Sequence, residues 1–344
     1  MKTLLLATAA ALSLAFAGSA LAAYTPHLAI THTPLTLTGG GSTDLTISFD
    51  QTDDATAKAT IYVPQGYTGT LGVSPGTQLG TIDASIIAFA ISPTQPLPLK
   101  GVIQPDDPAK YVANPCSPGT HEAVWLLRLQ AAGTELAVPG YVDTVTAPAE
   151  APLGKFKLQF CLPSPYIPPS AGGAMLGAKL VSATLHLSNA FALPSQNGSY
   201  GWTAVTTPYT VGAGTPNAAG TVQARAFVQL PAQLTLRAKV KKKTATLSGA
   251  LRLNRAGLAG MKVSLLSGSS RTKLKAAGSA TTRAGGAFSF RKTVRKTTYF
   301  RARVTVATRT ASCTGGVPGI PCASASANGF TAQSAIVKVT PKKR

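Results

Sequence analysis

The sequence predicts an all-β protein built as two β-sandwich-like domains, and three observations carry that expectation. Val, Thr, Ile and Tyr recur in short alternating runs broken by Gly, Pro, Asn and Ser, whereas helical periodicity is scarce. Charge is partitioned along the chain. All 11 Asp and Glu lie between Asp44 and Glu150, while the segment from Leu230 onward holds 23 Lys and Arg and no acid at all. Finally, four cysteines form an even set in a chain whose first residues read as an export signal. A length of 344 residues is ample for two such domains.

In chain order, the opening "MKTLLLATAAALSLAFAGSALAAYTP" has a charged start at Lys2, an apolar run to about Phe16, and Ala20-Leu21-Ala22 as a small-x-small cleavage site. Residues 1–22 are therefore expected to be a signal peptide, with the mature chain starting near Ala23. The apolar run is short for a bilayer span, which needs about 20 residues. No later stretch qualifies as a span, no Cys follows closely enough for lipid attachment, and "VKVTPKKR" offers no anchor tail. The expected location is secreted or extracellular, associated with the cell surface at most, without a transmembrane segment.

Residues 23–229 hold 8 basic residues against the 11 acids. The clearest strands there are "DLTISFD" (44–50), "KATIYVP" (58–64), "AVWLLRLQ" (123–130), "KFKLQFCL" (155–162) and "KLVSATLHLS" (179–188). Long Pro-rich connections, 92–119 and 162–173, are expected between them. The cysteine spacing favours the pairs Cys116–Cys161 and Cys313–Cys322. A zinc site would need four convergent Cys or His ligands, and no His lies near Cys313 or Cys322.

Residues 230–344 form the basic unit. Strand-like runs fall at about 234–241, 244–253, 260–266, 272–280, 286–293, 298–308 and 333–340, a spacing that suits an immunoglobulin-like sandwich of about seven strands. The phrases "AGMKVSLL" (259–266), "TTRAGGAFSF" (281–290), "TTYFRARVTV" (297–306) and "SAIVKV" (334–339) resemble the Ig-like and carboxypeptidase-regulatory-like modules of secreted bacterial proteins. That resemblance covers the last third of the chain and implies a fold without an activity. Arg283-Ala284-Gly285 stands where those modules often carry an acidic turn residue, which argues against a calcium-stiffened variant. In the first part, "TIYVPQGY" and "GWTAVTTPYTVGAG" are similar to uncharacterised secreted bacterial proteins and bring no activity with them.

The stretch "RAGGAFSFRKTVRKTTYFRARVTV" (283–306) mixes bases with aromatics, as a single-strand nucleic-acid platform would. Strand parity argues otherwise. Phe300, Ala302, Val304 and Val306 share one face, Tyr299, Arg301, Arg303 and Thr305 the other, and Phe288 and Phe290 lie opposite Ser289 and Arg291. Three of the four rings are thus expected inside. Outward cations remain at Arg237, Lys239, Lys241, Lys262, Lys273, Lys275, Arg291, Arg301 and Arg303. They could serve solubility, but such surfaces normally mix in acids, and a one-sign field repels itself. Attraction to an anionic cell-wall or extracellular polysaccharide is the functional reading, with nucleic acid the weaker partner.

Catalytic signatures are sparse. His121 adjoins Glu122 in "PGTHEAVW", and Asp50, Asp53 and Asp54 could offer carboxylate oxygens to calcium but lack a recognised ligand spacing and look like a solvated hairpin turn. No nucleophile elbow, paired metal-binding His motif or phosphate loop occurs, and no cofactor or metal is implied. The expectation is a non-enzymatic, secreted cell-envelope protein whose basic domain is spacer and electrostatic attachment. The alternative is an extracellular hydrolase or carbohydrate-binding protein, which would show a cleft where His121 or several of Asp106, Asp107 and Glu122 converge.

Overall fold

The computed structural model describes residues 24–341 except 34, 36–39, 70, 72, 132–133, 231–232 and 254–255. The expected signal peptide and the last three residues lie outside the described residues. Nearly all of the described chain is strand and loop, and its helical pieces are single 3-10 turns. The principal strands of the first two-thirds are β1 (His27–Thr33), β2 (Ser42–Ser48), β3 (Thr56–Val63), β4 (Gly80–Ala88), β5 (Ser92–Asp106), β6 (Ala123–Ala131), β7 (Thr134–Thr144), β8 (Phe156–Cys161), β9 (Ala178–Ser188), β10 (Ser199–Pro208) and β11 (Val222–Gln229). Those of the last third are β12 (Arg237–Lys241), β13 (Thr244–Leu253), β14 (Lys262–Gly268), β15 (Lys275–Thr281), β16 (Ala287–Thr293), β17 (Thr298–Val306), β18 (Arg309–Thr310), β19 (Cys322–Ala327), β20 (Phe330–Gln333) and β21 (Val337–Val339).

One 13-stranded sheet runs β1-β2-β9-β4-β5-β6-β7-β8-β3-β10-β11-β19-β18. Its inward residues, among them Ile30, Leu45, Ile82, Trp125, Leu158 and Trp202, pack into one core, so the sheet curls until its two halves face each other. Alternation explains which residues enter: β1 reads exposed-buried throughout, placing Leu28, Ile30 and His32 inside. β5 departs from expectation, because the Pro-rich stretch 92–106 is a strand and not a connection. Proline is tolerated there for a local reason. β6 first pairs with β5 at Lys100, so Pro98 faces a ladder partner, Ser85, on one flank only. Pro105 lies beyond the last β4 pair at Ile103 and faces only Trp125. A missing N–H costs no ladder bond on an unpaired flank.

In the last third, two five-stranded sheets face each other. β13 pairs with β12 and β16, and β17 pairs with β14, β20 and β21, with β15 beyond β14. Between them lie Leu247, Phe288, Phe290, Phe300, Val304 and Phe330, a second core. Phe288, Phe290 and Phe300 are all buried, as parity requires.

The segment 309–327 was not anticipated as strand. It leaves the second pair of sheets between β17 and β20, and β19 adds to the first sheet parallel to β11. Ser324 and Ser326 donate their hydroxyls to the carbonyls of Pro26 and Leu28 beside β1, at 2.6 and 3.0 Å. The loop before β19 lies over Gln223, whose amide binds the backbone of Val317 and Ile320. A Cβ at Gly316 would collide with that amide, which accounts for glycine there. Leu35 packs against both cores.

Both cysteine pairs form as the spacing suggests, Cys116–Cys161 and Cys313–Cys322, each with Cα atoms 6.2 Å apart. The first pins the 107–122 loop to β8, and the carbonyl of Cys116 also accepts from Lys58 and Gln159.

His32 is buried between the hydroxyls of Thr43 and Tyr67, each 3.0 Å from a ring nitrogen, and burial pushes its pKa down to about 4. The folded state favours the neutral ring. The contribution is complete above the ordinary pKa of 6.5 and is lost as pH falls toward 4, about 3 kcal/mol over that window. Urea unfolding between pH 7 and 4.5 should therefore fall less steeply with acid in His32→Gln than in the wild type.

Candidate functional site

The nine outward cations do not form one patch; the sandwich divides them between opposite faces. β12 places Arg237, Lys239 and Lys241 on the exposed side of the first sheet. Register sets Arg237 across from Ser248 and Ser289, Lys239 across from Thr246 and Arg291, and Lys241 across from Thr244 and Thr293. Alternate residues on a strand stand roughly 6.6 Å apart and neighbouring strands roughly 4.8 Å, so Lys239 and Arg291 are about 10 Å apart with a threonine between. The face is a lattice of cations and hydroxyls.

Arg252 joins it, a residue the sequence reading passed over although its parity on β13 matches Thr246 and Ser248. Together with Arg237 it lines a shallow groove of about 380 Å³ completed by Gln233, Thr235 and Ser248. Guanidinium, amide and hydroxyl groups converge there without a carboxylate. These are the groups that bind acidic sugars through charge-assisted and neutral hydrogen bonds.

The other face carries Lys262, Arg301 and Arg303. Arg303 lies across from Ser264 and Gln333, and Lys262 across from Thr281. Arg301 is tied down, donating to Gln333 at 2.9 Å. Tyr299 shares that side, with the Arg271 guanidinium 6.0 Å from its ring centre. Lys273 sits in the turn before β15, and Lys275 is the exposed first residue of β15. All salt bridges among the described residues lie between Asp44 and His186, so none involves these cations.

The acidic groups near His121 are each engaged by local partners. Asp106 accepts from Lys110 and Tyr111, at 2.7 and 2.8 Å, and these bonds hold its carboxyl down near 2. Asp107 caps the turn at Ala109, and Glu122 accepts from the backbone and hydroxyl of Thr144. His121 turns instead to Asp143, 3.0 Å from its Nδ1, while its Nε2 meets the carbonyl of Ser117 at 3.0 Å. Both ring nitrogens are engaged, which makes this a buried strut. Its partner was invisible in the sequence because Asp143 is 22 residues away, brought near by the β6–β7 pairing.

The segment "FDQTDDAT" does turn, with Asp50 exposed, but not all of its aspartates are solvated. Asp53 is buried and accepts from the backbone of Thr25 and Asp50. Among the described residues no three His, Cys, Asp or Glu side chains are placed to hold a metal ion together, and no helix is long and apolar enough to cross a membrane.

No protein-family model and no curated protein matches the chain. One solved structure that does is a beta-1,2-glucanase from Parabacteroides distasonis, 12% identical, covering 93% of this chain and 36% of that chain at a TM-score of 0.19. This chain thus spans little more than a third of that protein's length, and a likeness so low carries no argument about fold or activity.

Replacing His121 by Ala should cost about 2 kcal/mol of stability, because the largely buried Asp143 carboxylate keeps only the Glu122 backbone N–H and the Ser117 carbonyl loses its donor. Denaturant midpoints measure this.

Proposed function

We propose that the protein is a secreted, non-enzymatic component of a cell envelope or its surroundings. In this reading the basic, Ig-like sandwich of the last third attaches it to an anionic polysaccharide. The observation that carries the reading is the face formed by Arg237, Lys239, Lys241, Arg252 and Arg291. These side chains alternate in register with Ser and Thr, and no acid stands near enough to pair with them.

Three supports accompany it. The two disulfide pairs fit an oxidising compartment. Phe288, Phe290 and Phe300 are in the core, so the aromatic platform that a single-stranded nucleic acid needs is not offered on the wet face. Finally, the 23 cations with no acid create a field that would oppose folding without an external counter-charge.

The test uses the intact protein, since excising residues 230–344 would tear β19 from β11. Binding to immobilised heparin, an anionic polysaccharide probe, is measured from 50 to 300 mM salt against neutral dextran. The wild type should bind at low salt and elute steeply. Changing Arg237, Lys239, Lys241 and Arg291 to Gln should flatten the slope of log affinity against log salt by roughly 3, at 0.7–0.9 per released counterion. Changing Lys262, Arg301 and Arg303 should flatten it less. Salt-indifferent binding, or equal retention by both variants, overturns the reading.

A further inference from the structure

One cation of the first sheet lies outside the pattern that its other charges follow. β11 turns Ala224, Ala226 and Val228 into the core, so Gln223, Arg225, Phe227 and Gln229 stand on its outer face. Arg225 is buried there, 6% exposed, and its Nε and Nη1 have no hydrogen-bond partner among the described residues. No acid follows Glu150 in the chain, and no salt bridge among the described residues reaches Arg225. Two acceptors beside it are unanswered as well. Oγ1 of Thr203, directly across on β10, and Oε1 of Gln229 are buried without a partner among the described residues. A guanidinium taken out of water without a counter-charge costs stability, and a partner from outside the fold would offset that cost.

The surroundings suit such a partner. The guanidinium lies over the Phe227 ring, 4.9 Å from its centre. Two glycines leave it room: a Cβ at Gly201 would collide with its Nη2, and one at Gly315 would come within 3.2 Å of its Nη1. Phe227 and Thr314, which adjoin that guanidinium, also line an open groove of about 330 Å³. Ser199, Gln229 and Thr310 complete its polar lining, Arg309 stands at its far side, and no carboxylate enters it. Register sets Arg309 across from Ala327 and Ala327 across from Phe227. Arg309 is therefore two strand spacings, roughly 10 Å, from the ring. The volume falls at the lower end of the roughly 300–1,000 Å³ found for small-molecule sites.

We propose that this groove binds one negatively charged sugar ring of the hexuronate class. The carboxylate lies toward Arg225 and Arg309, whose forked donors match it. The C–H face of the ring rests on Phe227 and Ala327. Its hydroxyls donate to Gln229 Oε1 and exchange hydrogen bonds with Ser199, Thr310 and Thr314. A plain anion would leave the amide and hydroxyls unused, and a neutral sugar would leave the guanidinium unanswered. The site is separate from the basic sandwich and does not rest on attachment through it. A free acidic sugar and one unit of a polymer present the same chemistry.

The test titrates the intact protein with galacturonate, galactose and acetate by calorimetry. Galacturonate should bind saturably and at least tenfold more tightly than either control. Trigalacturonate separates the sources: equal affinity marks a free sugar, tighter affinity a unit of a polymer, and either supports the site. Arg309→Gln, an exposed change, should weaken galacturonate about fivefold, and Arg225→Met about tenfold or more. Arg225→Met should not lower the denaturant midpoint, because it removes an unpaired buried charge. Changing Arg237, Lys239, Lys241 and Arg291 to Gln should leave galacturonate affinity as it is, so this site and the sandwich attachment fail separately. Absence of saturable galacturonate binding overturns the proposal, and so does equal binding of galactose or acetate. An Arg225→Met protein that is less stable yet binds like the wild type makes Arg225 a structural residue and also overturns it. If that variant does not fold, wild-type methyl resonances decide. Shifts at Thr310, Thr314 and Ala327 on adding galacturonate support the site, and shifts confined to Thr235 and Ala250 in the sandwich groove overturn it.

Discussion

Two serine hydroxyls govern how this molecule closes. β1 pairs on one side only, with β2, and its other edge presents carbonyls that must find donors. Ser324 and Ser326 supply them from β19, a strand contributed by the last third of the chain. The same strand caps the free edge of β11. One excursion therefore bonds to both β1 and β11 of the curled sheet, whose interior also encloses His32. The Cys313–Cys322 bridge shortens the excursion and limits the conformations open to it before it docks.

The two halves treat charge in opposite ways. In the first sheet, carboxylates are answered locally: Glu150 accepts from Tyr62 and Lys157, and His186 stands between Asp44 and Asp83 with its pKa raised chiefly by the Asp44 contact. In the second pair of sheets, cations face hydroxyls and backbone and nothing negative. Burial of Phe288, Phe290, Phe300 and Phe330, each worth about 1.5–3 kcal/mol, offsets that repulsion. A fold held by apolar contact can carry an unbalanced surface, and this one leaves its charge available to an outside partner.

Strand parity made much of this readable. The burial of Phe288, Phe290 and Phe300, and the outward set Arg237, Lys239 and Lys241, follow from a period of two and need no tertiary information. Three features escaped. β5 was hidden by its prolines, whose tolerance depends on which flank is paired. β19, "CASASA", has almost no contrast between its alternate residues, so its pattern announces neither a strand nor a face. Asp143, the partner of His121, is joined to it only by strand pairing.

From sequence alone came the all-β class, the spacing that suits both cysteine pairs, the separation of charge and the faces on which the cations stand. These are local or compositional quantities, set by side-chain alternation and by counting. Tertiary structure alone decided that the cations divide between two opposite faces and that a segment of the last third adds to the first sheet. Each of those depends on pairing between strands distant along the chain, and pairing of that kind is settled by which edges and cores remain to be filled.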